Sequence, residues 1–152
     1  KEIRTVAIEL IKRFKEHGAM ISFDVNYRAN LWSEEEARDT IKSILPYIDV
    51  LFISEETSRR MMQKTGNISD IMKSYTEEYP VKIVCTTQRN VKSPKVHDFT
   101  STIYSKEYDK FYEERFNNNI DNPLTLSVLL SYKVNQKEDA CPSKEHPFFY
   151  WR

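Results

Sequence analysis

Ile3, Val6, Ala7, Leu10, Ile11 and Phe14 recur at spacings of three and four, with Lys12, Arg13, Lys15 and Glu16 on the polar side. That period is helical, and Gly18 predicts its end, because glycine enters the left-handed conformation that closes a helix at little cost. Ala19 to Val25 then reads as a short buried strand, and at its end apolar residues give way to Asp24-Val25-Asn26-Tyr27-Arg28. Ser33-Glu34-Glu35-Glu36 is a capping box, so a second helix starts there with Ala37, Ile41, Ile44 and Leu45 as its buried stripe and Pro46 near its end. Val50 to Ile53 is the next buried strand, and Ser54 caps a short helix running to about Lys64, before Gly66. Ile68, Ile71, Met72 and Tyr75 predict one more helix, ending near Tyr79-Pro80, and Val81 to Thr86 is a third strand.

Strand and helix thus alternate three times. Parallel strands need crossover connections, so the order predicts an α/β fold: a Rossmann-like, doubly wound, mostly parallel sheet covered on both faces. After Thr86 the pattern changes. Val91 to Phe99 and Ser101 to Tyr108 are rich in β-branched and aromatic residues, with Ser93-Pro94 interrupting the first, which predicts a β-hairpin or edge-strand pair following the third strand. From Phe116 onward the pattern dissolves into Asn117-Asn118-Asn119, a brief apolar run from Leu124 to Leu130, a polar stretch and a closing Phe148-Phe149-Tyr150-Trp151. Residues 1–115 therefore read as a partial α/β domain and 116–152 as a divergent tail of weak structure.

Composition narrows the function classes. Lys plus Arg and Asp plus Glu both number 23, so there is no electrostatic footprint for nucleic acid or for a membrane surface. No window approaches the roughly 20 apolar residues of a membrane span, and the chain opens directly into helix pattern, so a cytoplasmic location is expected. Cys85 lies in an apolar strand and Cys141 in a polar tail, a pair that suggests neither a disulfide framework nor a metal site. His17, His97 and His146 are scattered and have no metal spacing.

The candidate chemistry lies at the end of the first strand. In an open α/β sheet ligands bind at the carboxyl ends of the strands, and there Asn26 and Arg28 offer an amide and a guanidinium to a phosphate or carboxylate. The acidic groups Glu34 to Glu36 and Glu55-Glu56 fall in first turns of helices, where the helix dipole alone favours them. Leu31 and Trp32 are expected to pack at the strand-to-helix turn. Gly18 and Gly66 are the only glycines, so the chain holds little of the backbone that cradles phosphates.

The strand ending FDVNYRANLW, the strand LFISEE opening a helix, and IVCTT followed by VKSPKVHDFTSTIYS together resemble ribokinase-type (PfkB-type) carbohydrate kinases, the 2-keto-3-deoxygluconate kinase subgroup most of all. The resemblance covers about residues 1–115 and implies a partial ribokinase-like fold whose complete form transfers the γ-phosphoryl of ATP, with Mg²⁺, to a sugar or sugar acid. It places Asn26, Tyr27 and Arg28 near the nucleotide phosphates, Arg28 also near the substrate, and Thr87, Gln88 and Arg89 in the loop that approaches the nucleotide. It also implies sugar acid and nucleotide as small-molecule partners, and a homo-oligomer for the complete form.

Two departures follow. Ser54 and Thr57 stand where the family usually has Asn-x-x-Glu ordering Mg²⁺, although Glu55 and Glu56 are near. Asn119-Ile120-Asp121 continues into Asn122-Pro123-Leu124 and lacks the G-x-G-D segment that supplies the anion hole and catalytic base. No catalytic residue is assigned; Asp121, which precedes the expected place, is the substitute candidate. The loss of pattern near Phe116, with the absence of the family's amino-terminal half, reads as a truncation, a frameshift or a misdrawn gene boundary. The expected function is accordingly a sugar-kinase fragment inactive on its own. A nucleotide or sugar-acid binding module without turnover, or a structural remnant without a ligand, stands beside it.

Overall fold

The structure, a computed structural model, describes residues 2–93, 96–117 and 148–151. Helix α1 (Glu2–Glu16) leads through Gly18, whose φ of 79° is the left-handed value expected of it, into β1 (Met20–Asp24). Ser33 caps α2 (Glu34–Ile44) by accepting from the Glu36 N–H, and Pro46 sits in a single 3₁₀ turn, Leu45–Tyr47, that ends the helix. Strand β2 (Val50–Phe52), α3 (Glu55–Arg60), α4 (Ile68–Glu78) and β3 (Ile83–Ser93) follow. Helix α3 stops four residues before the expected Lys64. Helix α4 carries a full capping box, Asn67 and Asp70 each bonding the other's backbone N–H.

Strands β4 (Val96–Ser105), β5 (Lys110–Asn117) and β6 (Phe148–Trp151) complete a sheet of order β5-β4-β3-β2-β1-β6. Strands β6, β1, β2 and β3 are parallel, while β3-β4 and β4-β5 are antiparallel. The fold is thus α/β and mostly parallel, and antiparallel pairing follows the third strand as expected, but β4 runs unbroken through Thr100, where the two expected arms would have met. The hairpin's first arm is β3 itself. That strand does not end at Thr86 but runs on to Ser93, because Thr86 to Ser93 offers no glycine or proline and β4 supplies register partners beyond the reach of β2 for every residue except Lys92, where the register shifts.

One row across the sheet explains the core: Phe23, Leu51, Val84, Tyr104 and Phe111 are register partners in turn and all pack in the same cluster. Ile8 and Ile11 of α1, Ala37, Ile41 and Ile44 of α2, Met61 and Met62 after α3, and Ile71, Met72 and Tyr75 of α4 fill that same face. Tyr75 is fully buried and its hydroxyl bonds the Ser58 hydroxyl at 3.1 Å. The opposite face carries Val50, Phe52 and Cys85, with Met20, Ile83 and Ile103 against them. The second helical layer of a doubly wound sheet is not among the described residues.

Asp49 ties the amino edge of the sheet together. Its carboxylate is 2 % exposed, accepts from Lys15 Nζ at 2.5 Å and the Ile21 N–H at 2.9 Å, and lies 3.2 Å from Lys82 Nζ. Burial alone would raise its pKa, but these donors hold the carboxyl below the ordinary carboxylate value. Asp109 does similar work at the β4–β5 turn: at a φ of 43°, tolerated by Asp better than by most side chains, it accepts from the Tyr104 hydroxyl and pairs with Lys73 of α4.

Candidate functional site

At the carboxyl edge the register fixes three chain segments side by side. Asp24, Phe52 and Cys85 are level neighbours on β1, β2 and β3, so Asn26 and Arg28, Ser54 and Glu55, and Thr87 and Gln88 all lie just beyond the same line. The chain turns sharply after β1: the Asn26 N–H donates to the Asp24 carbonyl and the Leu31 N–H to the Arg28 carbonyl, both at 3.0 Å. This leaves Asn26 and Arg28 exposed. Among the described residues, no hydrogen bond or ion pair engages either side chain. A guanidinium held on a short turn at a strand end is a ready bidentate donor for a phosphate or carboxylate.

Tyr27 points the other way. Its ring packs against the core and its hydroxyl donates to the Trp32 carbonyl at 3.3 Å, fixing the turn that presents its neighbours. Trp32 also packs on the core, under the Arg4 guanidinium, 5.1 Å from the ring centroid, whereas Leu31 is 76 % exposed and sits on the rim.

Gln88 is joined to the second segment, its amide donating to Glu55 Oε2 at 2.5 Å. Glu55 Oε1 accepts twice from Arg59, at 2.9 and 2.7 Å. The Gln88 bond foremost, and the Arg59 contacts against a modest burial, hold the Glu55 carboxyl below its ordinary pKa. This link was missed by sequence reasoning, which left Glu55 to the helix dipole; the only signal was an amide two residues past the expected end of the third strand. Thr87 is half-buried. Of Arg89 the structure describes the backbone alone, in β3 opposite Phe99. Asp121 lies outside the described residues. Thr86 Oγ1 and Ser101 Oγ are buried without a hydrogen-bond partner among the described residues.

Ser54 Oγ accepts from the Thr57 N–H at 3.1 Å and donates to Thr57 Oγ1 at 2.8 Å, so both hydroxyls serve the cap of α3. Among the described residues, no three acidic, histidine or cysteine side chains converge. The Cys85 thiol is buried, and burial foremost, with the Asp24 carboxylate, pushes its pKa up and keeps it un-ionised. Among the described residues no helix is long and apolar enough to cross a membrane.

Residues 1–88 match the family described as pfkB family carbohydrate kinase. Over 86 residues the chain is 30 % identical to a 2-dehydro-3-deoxygalactonokinase of Haloferax volcanii, an alignment covering 57 % of this chain and 27 % of that protein. The fold is similar to that of 2-dehydro-3-deoxygluconokinase from Thermotoga maritima, with a TM-score of 0.73 and 23 % identity over 90 % of this chain and 46 % of the other. It is also similar to a fructokinase of Xylella fastidiosa solved with bound ATP, with a TM-score of 0.54 and 19 % identity over 73 % of this chain and 32 % of the other. The chain spans roughly a quarter of the Haloferax relative and less than half of either solved structure.

Proposed function

The chain belongs to the pfkB family of carbohydrate kinases, and from that premise we propose that it carries part of a site for the phosphates of ATP, with Arg28 and Asn26 as the ligand-facing donors. The observation that carries this reading is the exposed guanidinium of Arg28, unpartnered among the described residues, at the carboxyl edge and inside the matched residues 1–88. Phosphoryl transfer depends mostly on positioning and on neutralising charge, and Arg28 supplies the second. Thr87 and Gln88 border the same edge, with Gln88 held by Glu55. Mg²⁺ would arrive with the nucleotide's phosphates, since Ser54 and Thr57 already bond each other.

In a complete kinase of this kind the acceptor is a sugar acid of the 2-keto-3-deoxygluconate type, and Arg28 faces its carboxylate as well as the transferred phosphoryl group. The isolated chain binds without turnover, because Asn119-Ile120-Asp121 is not followed by the glycines and aspartate that form an anion hole and base. The test is a thermal shift with MgATP. A nucleotide at about ten times its dissociation constant stabilises the native state by about 1.4 kcal/mol, a rise of roughly 3–6 °C for a chain of this size. Arg28→Ala abolishes the rise. An undiminished rise in that variant removes Arg28 from the site, and ADP release above background with 2-keto-3-deoxygluconate would show that the chain is itself an enzyme.

A further inference from the structure

Strand β5 closes one side of the sheet: among the described residues it pairs with β4 alone. Lys110–Asn117 holds no glycine or proline, and a regular edge of that kind offers its main-chain groups to another strand unless side chains guard it. It also lies beyond the matched residues 1–88, so what it recognises depends on this chain's own side chains.

Hydrogen-bond parity across the sheet shows which groups are offered. The Ile53 N–H donates to the Cys85 carbonyl at 2.9 Å, so Cys85 faces β2 while Val84 and Thr86 face β4. The Lys106 N–H, donating to the Lys82 carbonyl at 2.9 Å, keeps the same parity. Tyr104 and Thr102 are the partners of Val84 and Thr86, which leaves Ile103 and Ser101 turned to β5, where they meet Tyr112 and Glu114. The N–H and C=O groups of Phe111, Glu113 and Arg115 therefore point away from the sheet.

A second copy pairing antiparallel must match these outward residues with one another, so the two-fold axis passes through a residue and never between two. At Glu113, Glu114 or Arg115 the axis would set like charges against each other, and at Phe111 or Phe116 only a short end of each strand would meet. At Tyr112 it sets Lys110 opposite Glu114 twice, Phe111 opposite Glu113 twice, and the two Tyr112 rings side by side. Lys110 and Glu114 are exposed on the face they share with Tyr112, and the Lys110 ammonium lies 5.1 Å from that ring's centroid.

We infer that β5 is the surface through which two copies of this chain associate edge to edge, about a two-fold axis at Tyr112 that sets Lys110 of each copy opposite Glu114 of the other. Lys110 and Glu114 guard the edge against unlike strands and match it to its own copy. In the joined sheet the parallel strands of the two copies run in opposite directions, so each carboxyl edge stays open and Arg28 is left uncovered.

Sedimentation equilibrium on the full chain tests this. A dimer is expected with a dissociation constant on the order of 0.1–1 mM, since an interface of one strand belongs to the weak class. Lys110→Glu alone and Glu114→Lys alone are each expected to weaken it about tenfold or more, because two attractive pairs become two repulsive ones. Mixing the two single variants is expected to restore the dimer, as each copy then supplies the charge that the other needs. Glu113→Pro, which removes an outward N–H without touching the bonds to β4, is expected to weaken it as well. A native chain still monomeric at about 1 mM overturns the inference. Self-association that the charge reversals or the proline leave unchanged places the contact elsewhere and overturns it too, as does a mixture no more associated than its components. None of these readouts involves nucleotide, so they stand apart from the fate of Arg28.

Discussion

The two edges of the sheet treat their polar side chains in opposite ways. At the amino edge, Asp49 is almost wholly buried and accepts from α1, β1 and the residue before β3 through Lys15, Ile21 and Lys82. At the carboxyl edge, Asn26 and Arg28 are exposed, with no bonded partner among the described residues, while Tyr27 between them is turned inward. A buried carboxylate survives only where donors replace the water it lost, whereas an exposed guanidinium keeps its water and needs no protein partner. One edge therefore holds the fold and the other presents donors to whatever arrives. The difference is a matter of burial: a buried carboxylate is fixed at one end, and an exposed amide and guanidinium are available at the other.

Removing Asp49 should have the largest effect. Asp49→Ala leaves the Ile21 N–H without its side-chain acceptor and removes the Lys15 tie between α1 and the sheet, and urea denaturation is expected to show a loss of about 3 kcal/mol. Lys15 and Lys82 are exposed enough to recover water, so Lys82→Ala, whose side chain is 63 % exposed, costs well under about 1 kcal/mol. The acid limb carries the same signature. Because the folded Asp49 carboxyl lies below its unfolded value of 3.8, its contribution is complete above that value and is lost as pH falls through the lower folded one. Stability measured from neutral pH down to about pH 2 should therefore converge between the native chain and Asp49→Ala at the acid end. A gap that stays constant across that range would mean that Asp49 acts by packing alone.

Between the two edges, Tyr75→Phe gives a scale for an ordinary buried bond. It removes the hydroxyl that reaches Ser58 and leaves the ring in place, so the expected cost is about 1 kcal/mol in the same denaturation experiment. A cost near that of Asp49→Ala would show that the helical layer is as critical as the amino edge and would blunt the contrast.

Local signals made most of this architecture legible. Ser33, Ser54 and Gly18 act within one helical turn, and the structure finds all three in the roles their positions predict. Strand β5 was missed because Lys110–Asn117 mixes four charged residues into a strand that, among the described residues, pairs with β4 alone. The extension of β3 to Ser93 was equally hidden, since it depends on pairing with β4, which follows it in the chain, rather than on its own composition. β6 is the extreme case: the aromatic run Phe148–Trp151 pairs with β1 across more than 120 residues of chain. At the site, the polar cluster after β1 was visible as an abrupt change of character. That Tyr27 turns inward while Asn26 and Arg28 face out was not, because the turn is set by bonds to Asp24, Arg28 and Trp32 backbone atoms rather than by a repeating pattern.

The smallest effect belongs to Arg28, and it is the most discriminating. Arg28→Ala and Asn26→Ala remove side chains that are exposed and that bond nothing among the described residues, so each should leave the denaturation midpoint within about 0.5 kcal/mol of the native chain. Gln88→Ala supplies the comparison on the same edge: it breaks the bond to Glu55, lets that carboxyl titrate closer to its ordinary value, and costs a few tenths of a kcal/mol more than Arg28→Ala, on the order of about 0.5–1 kcal/mol in total. If Arg28→Ala instead destabilises the chain as much as Tyr75→Phe does, its guanidinium is a structural strut and the two edges do not differ in kind. If stability is untouched while the MgATP shift disappears, the residue serves a ligand alone, which is the behaviour that separates a presented donor from a buried one.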